Sequence, residues 1–105
     1  MTRTADLLKR LSKEGVLVPP QVKKAMLKVN LEDFTDYDVA PFFADRPVPY
    51  IETNSGNIKT ISAPHMHAYA VKMLLSKLNE GSSVLDVGCG SGYLTAIFGH
   101  MVGVQ

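Results

Sequence analysis

A serine, two histidines, an aspartate and a set of alternating glycines are the residues of this chain whose types and spacing could do chemistry. Ser62, His65 and His67 fall within Thr60-Ile61-Ser62-Ala63-Pro64-His65-Met66-His67. Asp86 precedes Gly88, Gly90 and Gly92 in Val84-Leu85-Asp86-Val87-Gly88-Cys89-Gly90-Ser91-Gly92. The second stretch reads as a short apolar strand running through glycines into a helix, which is how α/β enzymes bring backbone close to a nucleotide. Dinucleotide oxidoreductases use G-x-G-x-x-G, and here Tyr93 stands where their third glycine would fall, so a nicotinamide-dependent half-domain fits poorly. Alternate glycines suit a ligand that lies across the strand end without a pyrophosphate, and Asp86 can orient a cationic or amino-bearing one. Glycine clusters after strands also serve as plain tight turns.

S-adenosylmethionine is a ligand of that kind. Ser62 lies where a strand end meets a helix start, so its hydroxyl and nearby backbone N–H groups can face an anion. The same position also suits a helix-capping serine ahead of Pro64. His65 and His67 are two apart and point in different directions on a helix, unlike an i, i+4 pair, so no metal site is expected. Cys89 reads as a small filler among glycines, since no activating partner can be named for it.

These groups need elements to position them. Leu7, Leu8 and Leu11 share one face of a helix expected over residues 4–14 and ended by Gly15. Pro20 opens a second helix with Val22, Met26 and Val29 at helical spacing. Between residues 30 and 49 lies an Asp-, Pro- and aromatic-rich stretch, read as an irregular loop pinned by Phe34, Tyr37, Phe42 and Phe43. Residues 50–52 and 58–61 flank the turn signal Asn54-Ser55-Gly56-Asn57 and predict a small hairpin. A helix from Pro64 is expected to bury Met66, Ala70, Met73, Leu74 and Leu78. Residues 84–87 then form a buried central strand, and Leu94, Ile97, Phe98 and Met101 stripe the helix after it.

The chain has 105 residues, 46% of them hydrophobic, enough for one core. Eleven basic against ten acidic residues give a net charge of +1, which argues against nucleic acid or an anionic membrane as partner. A single cysteine excludes an internal disulfide framework. The amino terminus lacks the apolar run of a signal peptide or membrane span, so a cytoplasmic setting is expected. A second strand ending in a ribose-binding acid should fall about 20 residues past the glycines, where the chain has already reached Gln105. We therefore expect the front half of a domain.

With Ser62-Ala63-Pro64-His65-Met66-His67-Ala68-Tyr69-Ala70 set beside Val84 to Gly92, the sequence resembles the protein-L-isoaspartate (D-aspartate) O-methyltransferase family, the eukaryotic form in particular. The likeness runs from the amino-terminal helices through Gly103. It implies an α/β, S-adenosylmethionine-dependent methyltransferase (Rossmann-like) fold, truncated after the first sheet strand and its helix. Residues 1–62 would form a helical and hairpin substrate-side region, and residues 63–105 the start of the methyltransferase domain. The implied activity is methyl transfer from S-adenosylmethionine to the free carboxylate of L-isoaspartyl or D-aspartyl residues in damaged proteins or peptides, which is protein repair by a monomer.

The resemblance also assigns roles. Ser62 aligns with the family's active-site serine. Thr60, Ile61, Ser62, His67, Asp86, Val87, Gly88, Gly90, Ser91 and Gly92 are implied at the cofactor, and Ile61, Ser62, Pro64 and His65 on the substrate side, with Met66 beside them. Asn57-Ile58-Lys59 departs from the smaller or neutral residues of many relatives, and Lys59 is read as solvated. A carboxylate with a pKa near 4 is already ionised at pH 7, so attack on a sulfonium methyl needs no general base. It needs in-line placement with water excluded, and proximity of this kind supplies up to ~7 to 11 kcal/mol. A competing reading is a non-catalytic, truncated interaction module, in which the apolar face of the helix from Tyr93 to Met101 would require a covering partner.

Overall fold

The computed structural model describes residues 3–103. Helix α1 (Arg3–Lys13) buries Leu7, Leu8 and Leu11 and keeps its charged residues outward. It ends as its sequence predicts. Gly15, at φ +84°, donates its N–H to the Ser12 carbonyl, and the Val16 N–H reaches back to that of Leu11 at 2.9 Å, a Schellman closure that satisfies the last carbonyls. Helix α2 (Pro20–Leu27) carries Pro20 in its first turn and buries Val22, Ala25 and Met26.

Residues 30–49 are more regular than expected. A single 3-10 turn, Leu31–Asp33, is capped by the Asn30 side chain, and a one-turn helix α3 (Ala40–Phe43) starts where Asp38 Oδ1 accepts from the Ala40 N–H at 3.0 Å. Local Asx chemistry stabilises both turns, which a count of apolar periodicity does not register. Phe42 is fully buried and Phe34 and Phe43 half-buried, whereas Tyr37 faces solvent and anchors nothing.

Strands β1 (Val48–Glu52) and β2 (Ile58–Ile61) pair antiparallel around the expected turn, with Val48 opposite Ile61. Helix α4 (Pro64–Leu74) follows and tightens into a 3-10 turn, Leu75–Lys77. Its buried face is the predicted one only in part: Leu78 is buried just beyond the helix and Ala70 partly buried. Pro64, His67, Ala68 and Val71 turn inward, at i, i+3, i+4 and i+7, whereas Met66 and Met73 are 55% and 64% exposed and Leu74 is also exposed. The rotation is set at the helix start, where Pro64 and His67 are drawn into the core, and side-chain hydrophobicity alone could not choose between the two faces.

The largest correction concerns residues 84–87. They join no ladder, Val87 already belongs to the turn into the glycine loop, and Leu85 and Val87 are 87% and 84% exposed. The two-stranded hairpin is the one sheet among the described residues. A parallel strand exists through bonds to a neighbour reached by a crossover, and residues 3–103 supply no such neighbour. Helix α5 (Tyr93–Val102) packs on α2 instead of on a sheet, burying Tyr93, Ile97 and Phe98. The exposed apolar surface expected on α5 therefore lies elsewhere, on the 84–87 segment and the outer face of α4.

Tyr93 is the bulkiest of the fully buried side chains. Truncating Tyr93→Ala should cost about 3–5 kcal/mol in urea unfolding, as for other buried aromatics. Leu85→Ser should change stability by no more than about 0.5 kcal/mol, because Leu85 buries almost nothing in this chain.

Candidate functional site

β2 delivers Thr60 and Ile61, the β2–α4 corner delivers Ser62, and the glycine loop lies across from them. Thr60, Ile61, Ser62, His67, Asp86, Gly88, Cys89, Gly90, Ser91 and Leu94 line one hollow of about 200 Å³. Serine corner and glycine floor thus share one cavity. Other hollows are larger, up to about 400 Å³, but none gathers a hydroxyl, a carboxylate and a glycine loop.

The floor is built from backbone. Gly88, Gly90 and Gly92 have φ of +69°, +58° and +89°, in the left-handed region that side chains disfavour, so the turn requires their lack of a Cβ. The Gly92 N–H donates to the Cys89 carbonyl at 3.0 Å, and the Tyr93 N–H to Ser91 Oγ at 3.2 Å, closing the loop onto the start of α5. Asp86 is half-buried, and its Oδ2 accepts the Thr95 hydroxyl proton at 2.7 Å. Thr95 thereby fixes the carboxylate and leaves Oδ1 for a ligand. No sequence signal marked Thr95, since its pairing with Asp86 arises only when the loop folds back.

The serine corner is held from beneath. His67 is buried, and its Nε2 lies 3.0 Å from the Ser62 carbonyl oxygen. A carbonyl only accepts, so Nε2 carries the proton. The ring stacks edge-on against Tyr93 at 5.0 Å and tilts toward Phe42 at 6.4 Å. Burial is the main cause that holds the His67 pKa below its ordinary 6.5, with the Ser62 bond opposing it. Burial likewise pushes the Tyr93 phenol up.

Ser62 does not cap α4. The N-cap is Ala63, which makes no side-chain bond, and the cap comes from twenty residues upstream. Asp45 Oδ1 accepts the His65 N–H at 3.0 Å, and both Asp45 oxygens lie 3.0 Å from His65 Nδ1. Asp45 is the one non-glycine residue with positive φ, +59°, among those described. This long-range cap leaves the exposed Ser62 hydroxyl without a partner among the described residues. Asp45 was not foreseen, because a cap so distant in sequence has no local signature.

Some expected site residues lie off the hollow. Pro64 is fully buried at the first turn of α4 and does not line the hollow. His65 is turned to Asp45 rather than into the hollow. Val87 points to solvent, and Gly92 faces the Phe34 ring, 3.9 Å from where its Cβ would stand. Lys59 is exposed on β2, and Cys89 is an exposed thiol on the rim. Among the described residues no helix is long and apolar enough to cross a membrane.

With this geometry in place, similarity to known proteins is informative. Residues 2–105 match the family model described as protein-L-isoaspartate(D-aspartate) O-methyltransferase. The chain belongs to this family. Its sequence is 40% identical to protein-L-isoaspartate O-methyltransferase 1 of Arabidopsis thaliana, covering 100% of this chain and 43% of that protein. It is 38% identical to the Ignicoccus hospitalis enzyme of the same name, over 95% of this chain and 44% of the relative. A Plasmodium falciparum family member crystallised with S-adenosyl-L-homocysteine superposes with a TM-score of 0.81 and 35% identity, over 100% of this chain and 44% of that one. The chain therefore spans less than half the length of the family members it matches. Its fold is the corresponding part of the family's α/β, Rossmann-like methyltransferase fold.

Two measurements test the corner. Asp45→Ala should cost about 1 kcal/mol through loss of the cap, and Asp45→Asn, which keeps an acceptor and tolerates positive φ, should recover most of it in urea unfolding. His67 is protonated at a lower pH in the folded than in the unfolded chain, so between the two values the unfolded state binds more protons. His67 thus contributes stability that is complete above pH 6.5 and is lost as pH falls toward its depressed folded value. His67→Gln, which keeps a donor without the titration, should flatten that part of the stability profile.

Proposed function

We propose that this chain carries the methyl-donor and acceptor corner of a protein-L-isoaspartate O-methyltransferase, acting with S-adenosylmethionine on isoaspartyl or D-aspartyl residues of damaged proteins. The observation that carries the reading is the shared hollow, lined both by Ser62, whose hydroxyl has no partner among the described residues, and by Asp86 and the glycine floor. The donor set suits such a ligand. Asp86 Oδ1 can hold an ammonium group, and Gly88 and Gly90 let a ligand lie against backbone. At about 200 Å³ the hollow falls short of the ~300 Å³ that encloses a drug-sized molecule, so it has room for only part of the donor.

When bound, the donor supplies a sulfonium methyl, which a carboxylate oxygen takes up as the carbon–sulfur electron pair returns to sulfur, giving a methyl ester and S-adenosylhomocysteine. The work left to the chain is placement. Ser62 donates a hydrogen bond from its hydroxyl to the acceptor carboxylate and orients it, Thr60 and Ile61 border the same space, and Ser91 secures the loop. His67 stays neutral and holds the Ser62 backbone still. No residue has to remove a proton, because the acceptor is already ionised. His65 and Met66, with residues 1–62, stand on the peptide side, and residues 63–105 carry the donor side. A cytoplasmic monomer is the expected setting.

A second reading, an interaction module without catalysis, draws on the exposed Leu85 and Val87. Calorimetry with S-adenosylmethionine separates the two. Saturable binding below about 100 μM, worth roughly 5.5 kcal/mol, supports the donor site, and no binding at high micromolar concentration favours the module. In the full-length enzyme Ser62→Ala should lower turnover of an isoaspartyl peptide by on the order of tenfold to a hundredfold while leaving donor affinity nearly unchanged. Unchanged turnover would remove Ser62 from its role.

A further inference from the structure

We infer that Tyr50 is a positioning residue of the donor site, acting through Gly90; the inference deepens the reading above and rests on it. β1 pairs Pro49 with Thr60 and resumes with Ile51 opposite Lys59, so Tyr50 is the extra residue of a bulge. A bulge re-aims a side chain, and the preceding residue is pinned, since Thr35 Oγ1 donates to the Pro49 carbonyl at 2.9 Å.

The re-aimed, half-buried ring comes down on the glycine floor. A Cβ built on Gly90 would stand 3.2 Å from the Tyr50 phenol oxygen, 3.8 Å from Cζ and 4.0 Å from Cε1. Glycine at 90 is favoured by its φ of +58°, and a Cβ there would also press on the phenol, which would have to give by a few tenths of an ångström. Gly88, in the same loop, has open space where its Cβ would be.

The contact matters because of what the loop lacks. Residues 82–86 join no ladder, so sheet bonds do not hold the approach to the floor. The Tyr50 ring supplies a lateral stop at Gly90, which lines the hollow. Thr60 and Ile61, on the partner strand of the same hairpin, line it too. Through Tyr50, the acceptor-side hairpin and the donor floor keep one spacing, and in-line transfer depends on that spacing.

The test uses the full chain and four variants, Tyr50→Ala, Tyr50→Phe, Gly90→Ala and the double variant Gly90→Ala/Tyr50→Phe. Amide hydrogen exchange at residues 88–92 and calorimetric affinity for S-adenosylhomocysteine are measured for each. Tyr50→Ala should speed exchange at 88–92 and weaken the ligand, each on the order of tenfold, whereas Tyr50→Phe should change both by less than about twofold. Gly90→Ala should lose affinity, and removing the phenol oxygen in the double variant should restore part of it, because the nearest ring atom is then 3.8 Å away. A merely structural Tyr50 would give no such rescue.

Exchange at 88–92 unchanged in Tyr50→Ala, or no rescue in the double variant, would overturn the inference. If Tyr50→Ala fails to fold, the Gly90→Ala pair decides by itself, since it keeps the ring. If the unsubstituted chain binds no S-adenosylhomocysteine, the donor-site reading falls, and loop exchange in the same variants still shows whether Tyr50 seats Gly90. Normal binding with an indifferent loop removes Tyr50 alone.

Discussion

The edge-to-face packing of Tyr93 is the interaction on which the arrangement depends. Its ring meets Phe34 at 5.8 Å, Phe42 at 5.3 Å and His67 at 5.0 Å, all near perpendicular, the geometry in which a positive ring edge meets a negative face. These partners come from the residue just after the 3-10 turn, from α3 and from α4, and Tyr93 itself opens α5. One side chain therefore ties the start of the glycine-loop helix to the segments that surround the serine corner. In a complete parallel sheet, ladders would share this task. Here aromatic contacts carry it, and the apolar seam between α5 and α2 extends them.

His67 links that cluster to chemistry. Its ring belongs to the aromatic core while its proton belongs to the Ser62 carbonyl, so the corner is rigid for reasons that lie a layer below it. Asp45 does the same from outside. Its backbone adopts an unfavourable conformation, and the two bonds to His65 compensate for it. The strain sits next to the candidate acceptor position, where a fixed helix start is of most use.

Much of this was legible in the sequence, for identifiable reasons. Pro20 and Pro64 at helix starts, Gly15 at a helix end and the Asn54–Asn57 turn each impose a backbone conformation that needs no tertiary partner. The alternate glycines did so at the site. What could not be read depends on partners distant in the chain: the face α4 buries, the cap from Asp45 and the clasp of Thr95 on Asp86. The expected strand at 84–87 failed for a related reason. Val84, Leu85 and Val87 have the composition of a buried strand, but strandedness belongs to a pair of segments, and hydrophobicity in one segment cannot establish it.

Cys89 gives the molecule a built-in handle. It is the chain's one thiol, it is exposed, and it stands on the rim of the hollow between two glycines that define the floor. A maleimide dye attached there needs no engineered cysteine and has no rival site for the label.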